Sequence, residues 1–264
     1  MKLIKPVLAL LPSLFLATSV AAETVTFAGS TTLLPFMEKM APLLEKAGMK
    51  ASIQAGGSSV GFKTAKMGMA DFGMMSRELK EEEKPYVKKM VVARDWLVML
   101  ANKAVPFDNI TTQQVIDLYT GKIKAINGYE LHPVAKEAGR GTKAAFDEFF
   151  KLGKYGRPLD RGLIIIGANG QAITAVAGDP HAIAYLSYSA VEAAIKQGEP
   201  VKMLKLDGVE GTPENVVSGK YKLQRTLNLV YKEKNAALAE RVRKVLATDA
   251  ARKIFLDGGT RPEL

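Results

Sequence analysis

Thr26-Phe27-Ala28-Gly29-Ser30-Thr31-Thr32-Leu33-Leu34-Pro35 is the stretch on which the reading of this chain turns. A β-type run over residues 24–28 stops at a glycine and three hydroxyl residues. Apolar residues then recur at helical spacing at Leu33, Phe36, Met37, Met40 and Leu44. The same device returns twice. Residues 51–55 end at Gly56-Gly57-Ser58-Ser59 before a helical stretch through Phe62, Ala65 and Met67. Residues 131–136 lead to Gly139-Arg140-Gly141-Thr142 and a helix with Ala145, Phe146, Phe149 and Phe150 on one face. A helix start offers unpaired backbone N–H groups and the positive end of its dipole, hydroxyls add donors, and glycine lets a bound group come close. Ser and Thr are also the ordinary N-caps, so one such junction is only a turn. Three in one basic chain point to an oxyanion site. The glycines match neither a Walker loop nor a Gly-x-Gly-x-x-Gly fingerprint.

Further strand signals lie at 71–75, 90–101 around Trp96, 163–166 (fully apolar), 182–186 and 227–231. A helical signal opens at Thr111-Thr112-Gln113-Gln114 and stops at Gly121, and others lie at 170–177 and 236–255. This alternation predicts an α/β fold with mainly parallel sheets. No repeat and no low-complexity linker interrupts it.

Composition narrows the chemistry. The 264 residues are 47% hydrophobic and 24% charged, which fits a folded protein, and Lys+Arg 37 against Asp+Glu 27 gives +10. With no cysteine, thiolate catalysis, disulfides and Cys-ligated metals are excluded. The only histidines, His132 and His181, are too few for a His-rich metal site, so no metal or cofactor is expected. Residues 1–22 carry Lys2 and Lys5, an apolar run and a small-residue end, the pattern of a secretory signal cleaved near Ala22. Its removal takes away two lysines and lowers the charge from +10 to +8. A periplasmic location is the expectation. Aromatic residues make up only 7%, too few to interleave with the basic clusters as a nucleic-acid binder requires.

Read as packing or surface are Trp96 (core near a hinge), His132, the solvated helix faces Glu81-Glu82-Glu83-Lys84 and Lys88-Lys89, and the core methionines Met67, Met69, Met74 and Met75. Arg77 reads as a solvated strand-end residue rather than a ligand.

The three junctions, with Asp71-Phe72-Gly73-Met74-Met75-Ser76-Arg77, residues 110–121, residues 167–186 and residues 207–221, resemble the phosphate-binding proteins of bacterial ABC phosphate importers. In order and spacing the matches cover nearly the whole chain after residue 22. The resemblance implies a two-lobed type 2 periplasmic binding-protein fold with two crossing hinge strands and the ligand cleft between the lobes. Lobe one is expected at 23–97 and 226–264, lobe two at 98–225. It implies a monomer that is not an enzyme, binds inorganic phosphate or a related oxyanion, and hands it to a membrane permease.

Carried over by position, the resemblance implies Thr31 and Thr32 at the first junction, Ser58 or Ser59 at the second, and Ser76 after the third strand. The fourth motif of the family reads Arg, two residues, then Gly-Ser-Gly-Thr. Here Lys136 stands for the arginine and Arg140 for the serine, while Gly141 and Thr142 match. An ammonium is a point charge where a guanidinium is a fork, and Arg140 at the helix start can restore that fork from another direction. These substitutions bear on which oxyanion is bound, sulfate or molybdate being the alternatives to phosphate. A secreted hydrolase with Asp71 and Glu137 as its carboxylates is the rival from another class.

Overall fold

The computed structural model describes residues 22–155 and 162–264; the expected signal segment, apart from Ala22, lies outside the described residues. The first body comprises β1 (Glu23–Gly29), α1 (Leu34–Lys46), β2 (Met49–Ala55), α2 (Ser58–Met67) and β3 (Phe72–Met75). β4 (Lys88–Asn102) leads out of it into the second. There follow β5 (Asn109–Ile110), α3 (Thr112–Tyr119), β6 (Ala125–Ile126), β7 (Tyr129–Glu130), β8 (His132–Lys136), α4 (Gly141–Phe149) and α5 (Leu152–Tyr155). β9 (Ile164–Ile166), α6 (Asn169–Gly178), β10 (Ala182–Ser187), α7 (Tyr188–Lys196), β11 (Val201–Leu206) and α8 (Pro213–Val217) complete the second body. β12 (Gln224–Tyr231) returns to the first, which ends with α9 (Ala236–Leu246), α10 (Asp249–Asp257) and β13 (Arg261–Pro262).

In the first body β1 lies between β2 and β3, parallel to both, as strands joined through helices must be. β12 fills the place between β3 and β4, antiparallel to each. The far half of β4 pairs antiparallel with β10 and β11 in the second body, where β8 and β9 extend the sheet in parallel. β4 therefore belongs to both bodies. The chain crosses once near Trp96 and Leu97 and again near Leu223 and Gln224, where Leu97 N–H donates to Leu223 O at 2.9 Å.

Each body has its own apolar core. Phe27, Met37, Leu44, Phe72, Leu229 and Phe255 belong to one. Leu97, Tyr119, Phe146, Ile183, Tyr185 and Leu223 belong to the other. Trp96 seals the crossing: it is buried, stacks on Tyr188 and donates its indole N–H to Gly211 O at 2.8 Å. Among the described residues, no helix is long and apolar enough to cross a membrane.

Five expectations are corrected. The sheet is mixed rather than mainly parallel, because β10, β11 and β12 all run antiparallel to the shared strand β4. The helical signal at 236–255 is two helices, because Thr248 is extended and caps α10 by accepting from Ala251 N–H. Arg77, read as a solvated strand-end residue, is buried at 4% exposure because its guanidinium is paired with Glu83. Met67 and Met69 are exposed at the end of α2, whereas Met74 and Met75 are buried in β3. Glu83, read as part of a solvated face, is buried because its carboxylate takes both ends of the Arg77 guanidinium, at 2.6 and 2.8 Å.

The first body depends on bare backbone where α2 lies on β3. A Cβ on Gly61 would stand 2.4 Å from Met74 O, and one on Gly73 would stand 2.2 Å from Gly61 O. Neither contact has a flexible atom that can give way. Gly61→Ala is expected to cost about 1–3 kcal/mol or more in urea unfolding, through overpacking. Gly170→Ala, with nothing within 4 Å, is expected to be neutral or slightly stabilising. Equal midpoints for the two variants would contradict this packing.

Candidate anion-binding site

Four loop–helix turns meet where the two bodies face each other. From the first body, Ser30 closes the turn ahead of α1, its Oγ accepting from the N–H of Thr32 (3.2 Å) and Leu33 (3.4 Å). Ser58 opens α2, is fully buried, and accepts the Ser76 N–H on its Oγ at 3.0 Å. The Ser58 and Ser76 hydroxyls lie 3.4 Å apart. From the second body, α4 begins at Gly141, with Arg140 extended as its N-cap residue, and α6 begins at Asn169. A Cβ on Gly141 would fall 2.2 Å from Ser58 Oγ and 2.5 Å from Ser76 Oγ, so only glycine lets this helix start approach the serines. The first amides of a helix have no carbonyl partner within it, and those of α4 begin here.

Ser30, Thr31, Gly57, Ser58, Ser76, Lys136, Arg140, Gly141, Thr142, Gly167 and Asn169 line one tight pocket. Thr31, Ser58, Ser76, Lys136, Arg140, Gly141 and Thr142 are thus brought together. Thr32 is buried and lines no part of that pocket; its hydroxyl accepts from an arginine. Ser59 is outside as well. Its N–H donates to Gly139 O at 3.0 Å, a backbone bond from one body to the other. Of the two serines that spacing alone left open, the pocket takes Ser58.

The charges sort themselves by partner. Arg77 is occupied by Glu83 and Arg140 by Glu137, whose carboxylate accepts from both Nε and Nη2. Arg140 therefore lines the pocket with its charge already balanced. Lys136 has no carboxylate partner among the described residues. It is 2% exposed, and its Nζ donates to the carbonyls of Gly167 (3.1 Å) and Ala168 (2.8 Å). Burial, then the nearby guanidiniums of Arg140 and Arg225, lower its pKa to about 7. An ammonium carries three protons, and two are accounted for. The carboxylates of the hydrolase reading have structural work: Asp71 accepts from Thr26 N–H (2.9 Å) and Thr26 Oγ1 (2.7 Å), while Glu137 holds Arg140.

Residues absent from the sequence reading of the site are Ser30, Asn169, Asp95 and Arg225. Asn169 lines the pocket with its amide, and its Oδ1 is buried without a hydrogen-bond partner. Arg225 and Asp95 form a buried ion pair, Nη2 to Oδ2 at 2.7 Å, whose side chains are 2% and 0% exposed. The signal available was a charge set inside each of two apolar strands. A pocket lined by hydroxyls, helix-start amides and an ammonium without a carboxylate partner among the described residues is suited to an oxyanion.

Residues 17–250 match a family described as a PBP superfamily domain. Among named relatives, phosphate-binding protein PstS 2 of Streptococcus agalactiae is 40% identical over 106 residues, 39% of this chain and 36% of its own length. Phosphate-binding protein PstS of Staphylococcus epidermidis is 26% identical over 229 residues, covering 78% of this chain and 68% of its own. The match to the streptococcal relative thus spans about a third of that protein. Among solved structures, a substrate-binding protein assigned to a phosphate ABC transporter of Clostridium perfringens, with bound phosphate, has a TM-score of 0.82. It is 31% identical and covers 92% of this chain and 100% of that one. An ABC-type phosphate transport receptor from Vibrio cholerae has a TM-score of 0.74 at 24% identity, over 90% and 99% of the two chains.

Lys136 gives the site a pH signature. A negative charge beside the ammonium raises its pKa above the value of about 7 it has without one. Between those two pKa values the complex holds a proton that the free protein lacks, so affinity falls as pH rises above about 7. Lys136→Arg stays charged throughout. Calorimetry at pH 8 in buffers of different ionisation heat should show proton uptake on anion binding in the parent and less in Lys136→Arg. Equal uptake in both would remove Lys136 from the site.

Proposed function

The chain belongs to the PBP superfamily, and on that premise we propose that it captures inorganic phosphate outside the cytoplasm and hands it to the membrane permease of an ABC importer. The observation that carries this reading is the convergence of Ser58 and Ser76 from one body with Lys136, Gly141 and Thr142 from the other on a single closed pocket. Binding exchanges the anion's hydration for fixed hydrogen bonds and one charge-assisted contact. No bond is made or broken. The relatives named phosphate-binding proteins, and the related structure holding phosphate, support the choice of ligand.

In this reading residues 1–22 are a signal peptide and the mature protein is periplasmic. The lobes are 23–97 with 226–264, and 98–225, in keeping with two apolar cores that part at Trp96 and Leu223. Phosphate binds from both lobes at once, so occupancy holds the cleft closed, and the closed form is what the permease recognises.

Thr31, Ser58, Ser76 and Thr142 supply hydroxyls, the starts of α2 and α4 supply amides, and Lys136 supplies the charge. Arg140 shapes the wall beside Gly57 and Gly167 with its charge on Glu137.

Phosphate at about 100 times its dissociation constant stabilises a protein that binds it only when folded by about 2.7 kcal/mol. For a chain of this size that is a rise in Tm of about 5–10 °C. The expected result is such a rise with phosphate and arsenate and little with sulfate or molybdate. A rise with sulfate or molybdate and none with phosphate would assign the site to that other oxyanion. A flat response to all four would overturn the anion-binding reading.

A further inference from the structure

The two crossing strands carry a buried ion pair that the account so far leaves without a task. Asp95 on β4 and Arg225 on β12 stand opposite one another in the antiparallel register. Both oxygens of Asp95 are engaged: Oδ1 accepts from Ser187 Oγ at 2.7 Å and Oδ2 from Arg225 Nε at 2.8 Å. The remaining guanidinium protons leave the pair and spread toward both lobes. Nη1 donates to Thr142 Oγ1 at 2.8 Å, with Ser76 O at 3.4 Å, and Nη2 donates to Thr32 Oγ1 at 3.2 Å.

Stability alone gives no reason for this arrangement. Two charges removed from water cost several kcal/mol each, and apolar residues of similar volume commonly replace such a pair without loss. The consequence for Thr142 does give a reason. A hydroxyl has one proton and two lone pairs, and one that accepts from a guanidinium must turn its own proton elsewhere. Thr142 lines the pocket, so its proton is the one left for a ligand there. Without Arg225 the same hydroxyl is free to present a lone pair to an anion, which repels it.

We propose that Arg225 is a positioning residue of the anion site: clamped by Asp95 where the strands cross, it fixes Thr142 as a hydrogen-bond donor to the anion and, through Thr32, ties that donor to the opposite lobe. This rests on the anion-binding reading. It makes a residue outside the pocket lining decide how well the pocket binds, and it places the link between ligand and lobe closure on the hinge strands.

The test is a calorimetric cycle with phosphate on the parent, Arg225→Gln paired with Asp95→Asn, Thr142→Val, and all three changes together. Urea unfolding without phosphate is run on each. The paired variant keeps polar groups at both positions without a buried lone charge. It should bind about ten- to a hundredfold more weakly, the range for losing a hydrogen bond to a charged ligand. Its effect should shrink to less than threefold when Thr142 is already valine, because the residue acts through that hydroxyl. Arg225→Lys, which retains the charge and Asp95 but not the fork, should fall between parent and pair and serves if the pair unfolds. Parent-like affinity in the paired variant or in Arg225→Lys would overturn the proposal. So would an undiminished loss in the Thr142→Val background. A parent that binds neither phosphate nor another oxyanion is a different failure, that of the binding reading itself.

Discussion

Hydrogen-bond donors gathered in a dry place repel one another unless a negative charge sits among them, and this molecule gathers them from both of its lobes. The starts of α2 and α4 meet over bare backbone, with Gly141 against the hydroxyls of Ser58 and Ser76. Lys136 is brought to the same point without a carboxylate. Burying an unpaired ammonium is costly, and its lowered pKa is how that cost appears. The surrounding carboxylates are all committed elsewhere: Glu137 to Arg140, Asp95 to Arg225 and Glu83 to Arg77. The site is thus left with an excess of positive charge and donors, which in the proposed reading an oxyanion balances.

In the proposed reading, closure of the two lobes on the anion is what brings these donors together. Each lobe has its own apolar core, and among the described residues the chain passes between them along β4 and on the return into β12. Ser59 N–H on Gly139 O is one direct backbone tie across the cleft. Gly57 and Gly139 permit it. Both hold a positive φ of 89°, and a Cβ on Gly57 would meet Arg140 Cδ at 3.0 Å.

Much of this was legible in the chain. Three strands ending in glycine and hydroxyls mark the helix starts, while Lys136 enters only through the family resemblance, as the residue standing for its arginine. What escaped has a common cause: local pattern says nothing about which partner a residue meets across the fold. Glu83 in a run of glutamates is the same letter as its solvated neighbours, yet Arg77 draws it inside. Asp95 and Arg225 lie 130 positions apart, and only the pairing of β4 with β12 sets them face to face. Each was nevertheless a charge inside an apolar strand, and two such anomalies in one chain are a reason to look for a pair. The break between α9 and α10 was also written locally, in Thr248 and Asp249, but the apolar spacing ran on through it.

The central claim is that one anion sits between the lobes in contact with both. Crystals grown with arsenate test it most directly, because the arsenic anomalous signal marks the anion independently of how the protein is built. The account predicts one strong peak within hydrogen-bonding distance of Ser58, Ser76, Thr142 and Lys136 Nζ. A peak instead in the cavity beside Arg94 and Glu148, or on the surface with the serine pocket unoccupied, would contradict it.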